Sequence, residues 1–220
     1  MKTVVAIHTA MPMIEPTREL FAKYIPEARL INIVDDSLIQ DVIHAGKVTE
    51  SVKKRLLNYY ESAVEAGADV IFNTCSSVGD VALEAKKDFK VPLVKIDDDM
   101  ALEAIIKYQR IGVLATLPTT LAPTIRLLKY FAAKSKREVG IVEGLADGAF
   151  QAIINGDRET HDRLIIEVAE SIANKVDGFI LAQGSMARME SQLQNITQKH
   201  VLSSPERGVL NVKQVLGSIK

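Results

Sequence analysis

Residues Asp69 to Asp80 read Asp-Val-Ile-Phe-Asn-Thr-Cys-Ser-Ser-Val-Gly-Asp, and they carry the strongest chemical signal in the chain. Val70, Ile71 and Phe72 form a short apolar run of the kind that makes a buried strand. Five small or polar residues, Asn73 to Ser77, end it, and the only cysteine, Cys75, lies among them. Val78, Val81, Ala82 and Ala85 follow at helical spacing. Cys75 is therefore expected just past the carboxyl end of a strand, at the mouth of a helix, where open α/β sheets bind ligands. Backbone N–H groups and the helix dipole are expected to lower its pKa there. A thiolate so placed can take or give a proton, or attack carbon. A free Cys can also be a small core hydrophobe. Asn, Thr, Ser and Ser as neighbours argue against that reading here.

Other residues could hold what the thiol acts on. Asn73, Thr74 and Ser76 offer hydrogen-bonding groups suited to a carboxylate. Thr116, Thr119 and Thr120 form a second hydroxyl cluster further along. Any single Thr or Ser can instead cap a helix or turn. His8 and Thr9 follow the first apolar run, on the same expected sheet edge as Cys75. His8 could orient a substrate, serve as a proton partner, or be a hydrogen-bonded structural His. His44, His161 and His200 read as ordinary; His161 with Asp157 and Asp162 reads as a solvated helix start, not a metal site. Asp97, Asp98 and Asp99 could bind a cation, but are expected instead to cap the helix at Met100 and join two halves of the chain. No Gly-x-Gly-x-x-Gly or Walker A pattern occurs, so nothing signals a nucleotide.

The whole chain sets wider bounds. It has 220 residues, a formal net charge of -1 and 47% hydrophobic residues, which suits one or two globular domains with proper cores. The charge balance leaves no footprint for a polyanion, so no nucleic-acid role is expected. One cysteine excludes an intramolecular disulfide and any multi-Cys metal site, and fits a reducing cytoplasm. No apolar run approaches ~18 residues and the first is too short for a signal peptide, so neither a membrane span nor a leader is expected.

The elements that must position these residues alternate between strand and helix, which predicts parallel α/β sheets. Strands are expected at 3–7, 29–34, 70–72, 91–94, 110–115, 137–142, 177–181 and around Val201. Helices are expected at 17–24, 38–46, 50–66, 100–108, 123–134, 148–155, 159–175, 189–194 and 209–219, with another from Cys75 to near Asp88. The pattern also repeats. Asp69 and Asp177 open the two motif strands, an offset of 177 − 69 = 108. At that offset Val4 falls on Gly112, His8 on Thr116 and Cys75 on Gln183. Two similar half-sized domains are predicted, with Cys75 and Gln183 projecting into one cleft from opposite sides.

Asn73-Thr74-Cys75-Ser76-Ser77 after a strand resembles the first catalytic-cysteine motif of the aspartate/glutamate/hydantoin racemase superfamily. Ile111 to Thr116, with Thr119 and Thr120, is similar to the loop that opens that family's second domain. Gly144 to His161 and Ser203-Ser204-Pro205 resemble its hydantoin-racemase-like members. The resemblance implies two Rossmann-like domains related by a pseudo-twofold axis. The first would take residues 1–97 and 206–220, the second 98–205, with the C-terminal helix returning to the first. It further implies a cytoplasmic isomerase that needs no cofactor, works at the carbon next to a carboxylate or carbonyl, and forms a dimer or larger homo-oligomer. The ligand would be a small carboxylate or cyclic amide, held also by Gly184 and Ser185.

One departure bears on the reaction. Racemases of this family use two cysteines, one per domain, and the second is expected within Leu181 to Ser185. Gln183 stands there, and Gln has no proton it can readily exchange near neutral pH. Cys75 then works as acid/base or nucleophile, with Gln183 donating a hydrogen bond to a developing enolate and His8 as a possible second base. A single-cysteine lyase, as in the related arylmalonate decarboxylases, and a non-catalytic small-acid binder are the alternatives.

Overall fold

The computed structural model describes residues 1–219. Eight strands alternate with helices. The strands are β1 (Thr3–His8), β2 (Arg29–Val34), β3 (Val70–Asn73), β4 (Leu93–Lys95), β5 (Arg110–Ala115), β6 (Gly140–Leu145), β7 (Gly178–Leu181) and β8 (His200–Leu202). The first five helices are α1 (Ile14–Tyr24), α2 (Ser37–Ala45), α3 (Glu50–Glu65), α4 (Gly79–Ala85) and α5 (Asp98–Lys107). The rest are α6 (Pro118–Lys134), α7 (Ala149–Ile154), α8 (Arg158–Ile172), α9 (Glu190–Thr197) and α10 (Pro205–Ser218).

The strands form two four-stranded parallel sheets, ordered β2-β1-β3-β4 and β6-β5-β7-β8. The fold class predicted from the sequence is the one observed. The chain divides into two compact units, Met1–Asp98 with Pro205–Lys220, and Asp99–Ser204. In each, the inner strands are buried on both faces, as parallel sheets require. Alternate residues of β1 serve two cores. Val5 and Ile7 pack with Leu56 and Tyr60 of α3, while Val4 and Ala6 pack with Phe21 of α1 and Val212 of α10. In the second unit Ile111 and Val113 face Leu127 and Leu128 of α6, and Leu114 faces Ile165 and Ala169 of α8.

Several ends differ from the sequence reading. The segment 116–120 is expected as a loop, but α6 already starts at Pro118, with Leu117 as its N-cap. Proline at the first helical position spends a donor that is unpaired there anyway. Pro123, expected to open the helix, sits inside it. The helix after Cys75 is shorter than expected: one 3-10 turn, Ser76–Val78, and then α4 of 7 residues. The edge strand expected at 137–142 pairs three residues later, at 140–145, where its amides meet β5.

α10 docks on the first sheet through a close approach that only glycine permits. A Cβ on Gly208 would stand 2.7 Å from the Ile96 carbonyl oxygen and 2.9 Å from its Cα. Both are backbone atoms and cannot rotate away. Gly208→Ala is therefore expected to destabilise the protein by about 1–3 kcal/mol, read as a lower denaturant midpoint. Gly217→Ala on the same helix, with nothing within 4 Å, is expected to leave that midpoint unchanged or raise it.

Candidate active site

The parallel register brings the ends of β1, β3 and β4 to one edge of the first sheet. Three segments end there: His8, the last residue of β1, with Thr9; Asn73, the last residue of β3, through Ser77; and Asp97 after β4. Among the described residues 71–79, only Cys75 is not buried. The Thr9 hydroxyl hydrogen-bonds its sulfur, as do the backbone N–H groups of Ser77 and Val78. All three favour the thiolate. Burial nevertheless dominates and pushes the thiol above its ordinary value of 9.0, with the nearby Asp97 charge acting in the same sense. The lowered pKa expected from the sequence is thus corrected. The N–H donors are in place, but a single 3-10 turn does not offset the loss of water around the sulfur.

Two residues expected to bind substrate are spent on the protein. Asn73 is fully buried. Its amide oxygen accepts from the Tyr60 hydroxyl at 3.0 Å and its amide nitrogen donates to the Cys75 carbonyl at 2.9 Å. Thr74 bridges the Ile7 carbonyl and His8 Nδ1, each at 3.0 Å. His8 Nε2 meets Asn32 Oδ1 at 2.8 Å. The single Thr74 hydroxyl proton goes to the Ile7 carbonyl, so Thr74 Oγ1 accepts from His8 Nδ1–H. Both ring nitrogens are then occupied, so His8 fixes Thr74 and leaves no lone pair for a substrate. Tyr60 and Asn32 were not legible as site residues, because their partners are distant in sequence and meet only through the sheet.

The second unit repeats the arrangement with different chemistry. Gln183 follows β7 with backbone angles φ −121°, ψ 134°, close to those of Cys75 at −123° and 119°. Its amide and Thr116 are joined by two hydrogen bonds of 2.7 Å: Thr116 N–H donates to Gln183 Oε1, and Gln183 Nε2 donates to Thr116 Oγ1. One amide N–H of Gln183 is left for another acceptor. Thr119 Oγ1 is buried and has no hydrogen-bond partner among the described residues. Thr120 is buried in the first turn of α6, Gly184 is partly exposed and Ser185 is exposed. Asp162 accepts from Arg188 at 2.6 Å and meets the buried His161 at 2.7 Å, which fastens the turn after Gln183 to α8. His161 is thus a buried clamp, not the solvated residue expected.

Strand pairing also shifts the repeat by one residue at its start. Val4 lies opposite Val70, and Ile111 opposite Gly178. Val70 and Gly178 are 108 apart, but Val4 and Ile111 are 107 apart. Thr9, not His8, is therefore the counterpart of Thr116. The pairs Thr9–Cys75 and Thr116–Gln183 occupy the same place in the two units.

The profile of the Asp/Glu/Hydantoin racemase family matches residues 4–210. The chain belongs to that family. No curated protein matches it by sequence. Among solved structures it is similar to glutamate racemase RacE1 from Bacillus anthracis, with TM-score 0.79 at 13% identity, over 98% of this chain and 82% of that one. It is also similar to allantoin racemase from Klebsiella pneumoniae, with TM-score 0.73 at 15% identity, over 99% and 88%. Picrophilus torridus aspartate racemase gives TM-score 0.74 at 17% identity, over 99% and 95%. Unliganded arylmalonate decarboxylase gives TM-score 0.57 at 15% identity, over 100% and 95%. At these identities the likeness establishes the two-sheet fold. No helix among the described residues is long and apolar enough to cross a membrane.

His8 sets a pH limit. Burial lowers its pKa from the ordinary 6.5, against the opposing effect of the Asn32 hydrogen bond. The folded chain thus binds this proton less readily than the unfolded chain does. The stabilisation is complete above about pH 6.5 and is lost as the pH falls through the lower folded value. Thermal melts are expected to show a declining midpoint on the acid side of 6.5, with a shallower decline in His8→Gln, which cannot charge.

Proposed function

We propose that this family member is a cofactor-independent enzyme that moves a proton at the carbon next to a carboxylate or carbonyl of a small acid, with Cys75 as the acid/base. The observation that carries the reading is the Cys75 turn. The one partly exposed residue of an otherwise buried segment carries a thiol with three hydrogen-bond donors on its sulfur. Those donors stabilise the thiolate whenever the thiol gives up its proton. In this reading Ser76, beside the thiol, holds a substrate oxygen. The substrate class is an amino acid, a hydantoin or a related acid.

A second reading has a specific support. With burial keeping the thiol protonated and Gln183 unable to exchange a proton, Cys75 is equipped to donate to one face of a carbanion. A malonate-type substrate would supply that carbanion. Its C–C bond breaks, CO2 leaves, the electron pair enters the enolate, and the Cys75 S–H proton quenches it. Water then reprotonates the thiolate.

Proton NMR in D2O with aspartate, glutamate, substituted hydantoins, malonates and hydroxy acids separates these cases. One compound is expected to lose its α-proton signal, or to release CO2 with deuterium incorporated, and Cys75→Ala is expected to lower that rate at least ~100-fold. Optical rotation then distinguishes inversion from one-face exchange. A rate unchanged in Cys75→Ala would sink the assignment.

A further inference from the structure

The two sheets have four edges, and the chain guards them unequally. An edge strand offers a row of unpaired N–H and C=O groups to any other strand, and proteins blunt such rows with short length, proline or charge. β4 and β8 have 3 residues each, and Pro92 stands just before β4. In β6 the residues before and after the strand ends fix the facing: Gly140 and Ala146 N–H donate to Gln109 and Ala115, so Glu143 lies in the outward row, and it is exposed. β2 has none of these devices. It runs for 6 residues, and from Leu30 to Val34 it holds no charge.

The backbone decides which groups of β2 are free. Arg29 N–H donates to the Lys2 carbonyl at 2.8 Å and Asp35 N–H to the His8 carbonyl at 3.0 Å. The two-residue period of a strand then turns Ile31 and Ile33 toward β1 as well, and leaves the N–H and C=O groups of Leu30, Asn32 and Val34 facing outward. The side chains along this row are only half-buried. Ile31 and Ile33 lean on the core under α3, and Leu30 on the core under α1 and α10. A groove of about 340 Å³ lies between α1 and Leu30, with Phe21, Ile25 and Ala28 in its wall.

We propose that β2 is an interface between two copies of this chain, whose β2 strands pair antiparallel about a twofold axis at Asn32 and join their first sheets into one. The strand is its own complement in that register. An antiparallel partner must match outward row to outward row. Centred on Asn32, Asn32 meets Asn32 and Leu30 meets Val34 on either side, each pair exchanging two hydrogen bonds. Between these, Ile31 faces Ile33, an apolar pair on the α3 side. At each end Arg29 of one copy faces Asp35 of the other. Arg29 is exposed and makes no ion pair among the described residues, and neither does the exposed Asp36 beside Asp35. Val34, opposite Leu30 and on the same face, comes to the groove beside α1. The same arrangement at β6 would set Glu143 against Glu143, which like charges oppose. A foreign strand would need an apolar run with opposite charges at its two ends; a second copy supplies both by symmetry.

Sedimentation velocity from low to several hundred micromolar is expected to show a reversible monomer–dimer equilibrium. Val34→Lys puts a charge in the outward row, and Arg29→Asp sets like charges at both ends. Each acts twice across the axis and is expected to weaken the dimer at least ~10-fold. Arg29 is exposed, so that variant keeps the test open should Val34→Lys not fold. The register is read separately in a Cys75→Ser background, which has no other cysteine. There Asn32→Cys is expected to form a disulfide-linked dimer under mild oxidation, because Cα atoms paired across the axis stand at disulfide distance. Lys90→Cys, exposed and off this edge, is expected to stay uncrosslinked. A monomer at every concentration overturns the proposal. So does a dimer that folded Arg29→Asp and Val34→Lys leave intact, as one built on another face would be.

Discussion

Each unit depends on the register between its first and third strands, and an aspartate pins that register in both. Asp69 N–H donates to the Thr3 carbonyl at 2.8 Å, and its carboxylate accepts the Thr3 N–H at 2.7 Å. Asp177 does the same to Arg110, at 2.8 and 2.9 Å. A carboxylate oxygen continues the ladder by one rung where the strand has no further carbonyl to offer. At the other end Thr74 N–H donates to Ile7 and Ala182 N–H to Leu114. With both ends fixed, Thr9 must lie beside Cys75 and Thr116 beside Gln183. A slip of one residue would turn every side chain of the buried strand to the wrong core.

On that frame the two units build the same turn and load it differently. The matching backbone angles at Cys75 and Gln183 show that the turn does not require either side chain. What differs is the use made of the threonine. Thr9 meets a sulfur that can gain or lose a proton; Thr116 closes a ring of two hydrogen bonds with an amide that cannot. The first unit also surrounds its turn with paired polar groups: Tyr60 on Asn73, Asn73 on the Cys75 carbonyl, His8 on Thr74. Each leaves its partner's buried donor or acceptor satisfied, as burial requires. Asp97 and Asp98 are exceptions, buried carboxylates each with one oxygen outside any hydrogen bond among the described residues.

Much of this protein was determined by the sequence alone. Apolar runs of strand length alternating with helical periods are enough to specify parallel α/β sheets, because each period buries only one way. The 108-residue repeat was readable for the same reason, and Asp69 and Asp177 mark it correctly. Cys75 as the centre of interest followed from a local contrast, an apolar run broken by five small or polar residues. The family resemblance rested on short motifs that the strand ends preserve.

The tertiary structure decided the rest, since it turns on partners far apart in the chain. Asn73 and Thr74 look like substrate ligands by type and place, but Tyr60 and His8, 13 and 66 residues away, claim them. The counterpart of Thr116 moved from His8 to Thr9 because pairing, not residue count, sets equivalence between strands. The direction of the thiol's pKa was not in the sequence either. Donors to a sulfur can be guessed from a turn, but the water it loses depends on what packs over it, and here that loss is the larger effect.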